Sequence, residues 1–159
     1  MNRWRFMLWG GIGVGKTTLL IALQGGGSSV KTQMIEFRGE AIDSPGEYSE
    51  MGHLTRHLLA TASDADLFLV VHDATRASTN FSPHYFCMFH QAVWGVVSKV
   101  DAPGADVERA SALLRYMGVT DRIFCVSAVT GFGLSELRQA LSDRREKWRT
   151  TTAVAKLSA

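Results

Sequence analysis

Short apolar runs alternate along the chain with segments of helical spacing. Trp4 to Trp9 reads as a first strand, and Lys16 to Leu23 as a helix stopped by Gly25-Gly26-Gly27. Met34 to Phe37 and Glu40 to Ile42 read as short strands, and Glu50 to Ala62 as a helix through Met51, Leu54, Leu58 and Leu59. Leu67 to Val71 and Ala92 to Val97 are unbroken apolar runs, the pattern of parallel strands buried on both faces. Asp106 to Met117 predicts a helix ended at Gly118, Ile123 to Val126 a last strand, and Leu134 to Trp148 a last helix. Residues 73–90 show no clear period, which leaves a short helix or an ordered loop open. The alternation predicts a three-layer α/β domain with a mostly parallel sheet and right-handed crossovers. Ligands of such sheets bind beyond the carboxyl ends of the strands, so the residues that follow each strand matter most.

Composition narrows the picture. With 159 residues, 46% of them apolar, and a net charge of +2, the chain has enough core for one domain and does not read as disordered. The longest uncharged run, Ala77 to Ser98, contains Asn80, Pro83 and Gln91 and does not resemble a membrane span. Phe6 to Gly15 has the length of a signal-peptide core, but Lys16 follows with no small-residue cleavage site. Two cysteines, Cys87 and Cys125, make no disulfide framework, so the expected setting is cytoplasmic. From Arg144 onward five basic residues face one acidic residue, which leaves the body mildly acidic. The expectation is a domain over 1–148 and a flexible basic tail over 149–159, solvated or docking on an acidic partner. Basic residues neither cluster within the fold nor alternate with aromatics, so no nucleic-acid partner is expected.

Directly after the first strand stands Gly10-Gly11-Ile12-Gly13-Val14-Gly15-Lys16-Thr17, which fits G-x-x-x-x-G-K-[ST]. Glycines let the backbone wrap a phosphate with its N–H groups turned inward, at the start of a helix whose dipole favours anions. Lys16, a surface point charge when no ligand is present, would neutralise the β- and γ-phosphates. Thr17 would give its hydroxyl to Mg²⁺, with Thr18 completing the loop. After the second strand pair come Asp43-Ser44-Pro45-Gly46, where Asp43 would hold a Mg²⁺-bound water and the Gly46 N–H would reach the γ-phosphate. After the run at 92–97 stand Ser98-Lys99-Val100-Asp101. The Asp101 carboxylate can accept from guanine N1–H and N2–H₂ together, a donor pair that adenine lacks. The stem of Lys99 would cover the base, and Ser127-Ala128 would turn an N–H toward guanine O6.

These elements, in this order, resemble the Ras-like P-loop GTPases over residues 3 to about 143. Lys31-Thr32-Gln33, Asp43-Ser44-Pro45-Gly46-Glu47-Tyr48 and Phe81-Ser82-Pro83 carry a closer likeness to the EutP/PduV family of GTPase-like proteins. Those proteins are encoded with ethanolamine- and propanediol-utilisation microcompartments. The resemblance implies GTP or GDP and Mg²⁺ as ligands, and Thr32 as a switch threonine reaching the metal. It also implies a microcompartment shell protein or enzyme as partner, with a homodimer among the assemblies to test. Two positions depart from the pattern. Ser98 stands where Asn or Thr is usual, with a shorter reach toward guanine. Glu47 stands where Ras-like switches carry a water-orienting glutamine, so slow hydrolysis is expected. The leading reading is a slow GTPase acting as a switch, with Lys16, Gly46 and Glu47 at the chemistry. A nucleotide-binding scaffold without turnover and a kinase for a small carboxylate, with an acceptor pocket in 73–90, are the alternatives.

Overall fold

The computed structural model describes residues 3–24, 39–43 and 56–158, with the side chains of 43 and 56–58 excepted. Met34–Phe37, Thr32, Gly46, Glu47 and the first part of the predicted helix at 50–62 lie outside these residues. Within them the order is β1 (Phe6–Trp9), α1 (Lys16–Gln24), β2 (Ala41–Asp43), α2 (Arg56–Ser63), β3 (Leu67–Asp73), a 3₁₀ turn (Tyr85–Met88), β4 (Ala92–Ser98), α3 (Val107–Met117), β5 (Ile123–Cys125) and α4 (Leu134–Leu157).

The described strands form one sheet in the order β2-β1-β3-β4-β5, and every neighbouring pair is parallel. All seven residues of β3 are buried, as the unbroken apolar run requires. Successive side chains on a strand face opposite ways, so β1 feeds two cores. Phe6 and Leu8 pack with Leu19 and Leu23 of α1 and Leu137 and Leu141 of α4. Met7 and Trp9 pack on the other face with Phe68, Ala62, and Leu114 and Met117 of α3. β2 and β3 flank β1 on opposite sides, so the chain order reverses there and opens a crevice at the carboxyl end of β1.

The crossover from β3 to β4 is built without an α-helix, and the segment open in the sequence resolves into an ordered loop with one 3₁₀ turn. Aromatic rings replace the missing helix. Phe86 lies edge-on to Trp9 at 5.5 Å, and Phe89 edge-on to Phe68 at 5.0 Å. α3 has the ends its sequence predicts, with the Asp106 carboxylate accepting from the Arg109 N–H and Gly118 closing the helix in the left-handed region.

α4 departs from expectation, running to Leu157 instead of ending at Trp148, so residues 149–157 are helical. Nor is its basic stretch uniformly solvated, since Arg145 is only 5% exposed and faces the equally buried Glu40. Arg138 donates to the carbonyls of Ala22 and Leu23, anchoring α4 on the C-terminal end of α1.

Candidate functional site

The loop between β1 and α1 has the conformation its glycines imply. Gly10 stands at φ +153°, and a Cβ there would come within 2.6 Å of the Val71 carbonyl oxygen, so the loop lies directly against β3. Gly15 at φ +98° sets up the turn into α1. Lys16, the first residue of α1, is 7% exposed rather than a surface charge. Its ammonium donates to the carbonyls of Gly10 at 2.8 Å and Gly11 at 2.9 Å. Those bonds hold the cation at the mouth of the loop, where a phosphate would meet it. Ile12, Thr17 and Thr18 are exposed on the same rim.

The segment after β4 closes over the loop from the next strand but one. Ser98 Oγ donates to the Val14 carbonyl at 2.6 Å, so its short side chain is spent on fastening the loop. Lys99 Nζ donates to the Gly13 carbonyl at 2.7 Å. Its backbone stands at φ +58°, a left-handed conformation that costs a non-glycine residue about 1 kcal/mol. The strain is offset by the two bonds Lys99 makes at its far end. Asp101 is exposed in the turn that follows. The loop after β5 is zipped to this one, since Val126 donates to Val97 and Val100 to Val126. Ser127 gives its N–H to the Phe132 carbonyl, which leaves Ala128 as the N–H donor available to a base.

Two further residues join this cluster. Asp73, the last residue of β3, is 3% exposed and accepts from Lys99 Nζ at 2.7 Å and from the Thr75 hydroxyl and amide at 2.7 and 2.8 Å. Burial works to raise its pKa, but the bonds from Lys99 and Thr75 prevail and hold it below the usual carboxylate value. Arg76 stands 3.9 Å from Asp73 and donates to the Ile12 carbonyl. The carbonyls of Ile12, Gly13 and Val14 thus accept from three side chains at the ends of β3 and β4. Sequence spacing alone reads His72-Asp73 as a strand terminator. The signal for Asp73 and Arg76 was their place just after a buried parallel strand, the rule that picks out the other loops.

For a metal, the described groups are the Thr17 hydroxyl and the position of Asp43. Asp43 ends β2 in register with Leu8, at the loop's end of the sheet. Hydroxyl and carboxylate oxygens suit a hard cation such as Mg²⁺. Beside the loop, between Gly11 and the crossover 76–81, opens a cavity of about 240 Å³ whose lining includes Arg76, Ser78 and Asn80. His72 also borders it, and burial holds its pKa below the usual histidine value.

Solved structures similar to this chain are G domains. The FeoB G-domain from Methanococcus jannaschii matches 92% of this chain and 99% of its own at TM-score 0.60 and 22% identity. The cytosolic domain of T. maritima FeoB, in its GMPPNP form, matches 89% of this chain and 63% of its own at TM-score 0.58 and 21% identity. A bacterial selenocysteine-specific elongation factor, EF-Sec, matches 92% of this chain and 29% of its own at TM-score 0.60 and 22% identity. The fold is therefore the Ras-like P-loop fold. Among curated proteins, the "Probable acetate kinase EutP" of Salmonella typhimurium is 33% identical over 152 residues, covering 90% of this chain and 94% of that one. Its Escherichia coli K12 namesake is 34% identical, covering 76% and 77%. The "Propanediol utilization protein PduV" of Citrobacter freundii is 33% identical, covering 84% and 89%. Residues 3–143 match the PduV-EutP family, described as "Ethanolamine utilisation - propanediol utilisation", and the chain belongs to that family.

Proposed function

We propose that the chain binds GTP and GDP with Mg²⁺ in the loop 10–17, hydrolyses GTP slowly, and acts as a switch or positioning factor in microcompartment metabolism. The observation that carries this reading is the fastening of one loop from two strand ends. Lys16 stands at the loop's mouth, while Lys99 and Ser98 at the end of β4 and Arg76 after β3 hold the carbonyls of Gly13, Val14 and Ile12. Carbonyls so held turn the intervening N–H groups toward the phosphates. Asp101 and Ala128 would read the guanine, and Thr17, Thr32 and Asp43 would hold the metal. Chemistry in such a site is positioning plus charge stabilisation, with Lys16 and the metal neutralising the phosphates while water attacks in line. The test is to denature the purified protein and identify the released nucleotide by chromatography. GDP or GTP is expected, and ADP or ATP would overturn the guanine assignment.

A second reading, phosphoryl transfer to a small carboxylate, draws support from the cavity beside the loop and from the name of two relatives. An acyl phosphate formed from GTP and acetate, trapped as its hydroxamate, would replace the hydrolysis reading with this one.

A further inference from the structure

We propose that the cavity beside the phosphate loop binds a short-chain carboxylic acid longer than acetate, and that Arg76 links its occupancy to the loop. The cavity exists because the β3–β4 crossover has no helix. The chain from Arg76 to Phe81 runs over the gap as a loop and leaves about 240 Å³ open.

Its walls differ in chemistry. Arg76 offers a guanidinium, Ser78 and Thr79 hydroxyls and Asn80 an amide, whereas Val71, Phe81 and Met117 are apolar. That combination suits a molecule with a charged head and a hydrocarbon tail. A guanidinium pairs with a carboxylate through two parallel N–H donors. Among the described residues Arg76 is the one Lys, Arg, Asp or Glu on the lining, and the Asp73 carboxylate stands 3.9 Å from it. One cation so placed balances a monoanion and disfavours a dianion. Size argues for a tail of several carbons, because a dry cavity of roughly 150 Å³ already holds benzene.

Arg76 makes the site more than a pocket. The same guanidinium donates to the Ile12 carbonyl and lies 3.2 Å from where a Cβ on Gly13 would stand. A carboxylate that draws Arg76 into the cavity removes a brace from the phosphate loop. Acid and nucleotide therefore oppose each other, and by linkage each weakens the other by the same factor. The cavity stands on its own geometry; the coupling rests on the nucleotide reading above.

The experiment titrates the purified protein with sodium butyrate by calorimetry, against sodium chloride at matched ionic strength, with sodium acetate in parallel. Saturable butyrate binding is expected, about tenfold tighter than acetate for the two extra methylenes. GDP should weaken butyrate about fivefold, and butyrate should weaken GDP equally. Ser78→Trp, which plugs the mouth, should abolish butyrate binding and leave GDP affinity unchanged. Asn80→Leu gives the same reading if the tryptophan variant does not fold. Arg76→Ala should lower butyrate affinity at least tenfold and remove the mutual effect. No saturable butyrate binding, or binding untouched by Ser78→Trp and Asn80→Leu, overturns the site. Acetate binding as tightly as butyrate overturns the chain-length claim. Butyrate binding indifferent to bound GDP overturns the coupling. Butyrate binding by a protein that takes up no GDP defeats the nucleotide reading and the coupling, and sustains the cavity.

Discussion

Two buried carboxylates, each set against arginine or lysine, occupy opposite ends of the sheet and behave in opposite ways. Asp73 ends β3 beside the phosphate loop, accepts three hydrogen bonds and is held below the usual carboxylate pKa. Glu40 precedes β2 at the far end, where burial raises its pKa against the pull of Arg145, Arg3 and Arg149. The difference is in how burial balances against bonding rather than in the number of cations. Oε2 of Glu40 stands 3.6 Å from Arg145, beyond hydrogen-bond length, and has no hydrogen-bond partner. A buried ion pair whose loss of hydration outweighs its attraction contributes little. Three direct donors make the charged form of Asp73 the stable one, whereas at Glu40 burial outweighs both the charge and the hydrogen bond of Arg145. Exposure differs as well. The side chains of Lys99 and Arg76 are 43% and 39% exposed and can turn to a ligand, whereas that of Arg145 is 6% exposed. One arrangement borders the candidate site, and the other joins α4 to the start of β2.

The largest expected effect separates them by stability. Arg145→Met strips the closest cation from a buried carboxylate and should cost about 3 kcal/mol in urea unfolding. GDP affinity of the folded fraction should not change, because Arg145 lies at the end of the sheet away from the loop. A fall in affinity at constant stability would mean that the two ends are coupled. Asp73→Asn should reverse the pattern. It releases Lys99 and Arg76 from their shared acceptor, and both can reach water, so the stability cost is expected near 1 kcal/mol. GDP affinity should fall about a hundredfold, roughly 2.7 kcal/mol, as the loop carbonyls lose their oriented donors. An affinity within threefold of wild type would show that Asp73 does not organise the site.

A third carboxylate, Glu47, lies outside the described residues, and its test is kinetic. A glutamine amide can donate to the γ-phosphate and accept from the attacking water, while a carboxylate cannot donate. Glu47→Gln should raise the single-turnover rate on the isolated protein about tenfold, roughly 1.4 kcal/mol of barrier. A slower variant would make Glu47 the group that holds or deprotonates the water.

The phosphate loop, the alternation of strands and helices and the extent of α3 were legible in the sequence because each rests on local rules: glycine conformations, apolar runs and a stop at Gly118. Ser98 and Lys99 stand out in the sequence by their place at the end of a buried apolar run, and the structure brings both to the loop carbonyls. Other features depend on where distant residues meet. Glu40 and Arg145 are 105 positions apart, and no spacing rule predicts that pair. Lys16 looked like a surface charge because its partners are backbone carbonyls, which carry no sequence signal. The helical continuation past Trp148 was missed because Thr150, Thr151 and Thr152 are poor helix formers. In place, the hydroxyls of Thr150 and Thr151 bond back to the carbonyls of Glu146 and Lys147.

The smallest effect sharpens the comparison most, because it turns on sign. Glu40 has a folded pKa raised above its ordinary 4.5, so the folded protein binds a proton that the unfolded chain has given up. Its contribution is fully present below pH 4.5 and is lost as pH rises through the folded value. Asp73 has a folded pKa below its ordinary 3.8, so its contribution is present above 3.8 and is lost as pH falls through the folded value. Glutamine resembles the protonated form of Glu40, so Glu40→Gln should change stability by less than about 1 kcal/mol at pH 7. Relative to that variant, wild type should lose stability as pH rises from 4.5. Relative to Asp73→Asn, it should lose stability as pH falls below 3.8. Urea unfolding of the three proteins between pH 3 and 7 reads both trends. If the Glu40→Gln difference runs the other way, the charged pair is favourable after all and Arg145 does more than offset burial. If the Asp73→Asn difference stays flat, the bonds from Lys99 and Thr75 do not stabilise the carboxylate, and the contrast between the two ends of the sheet collapses.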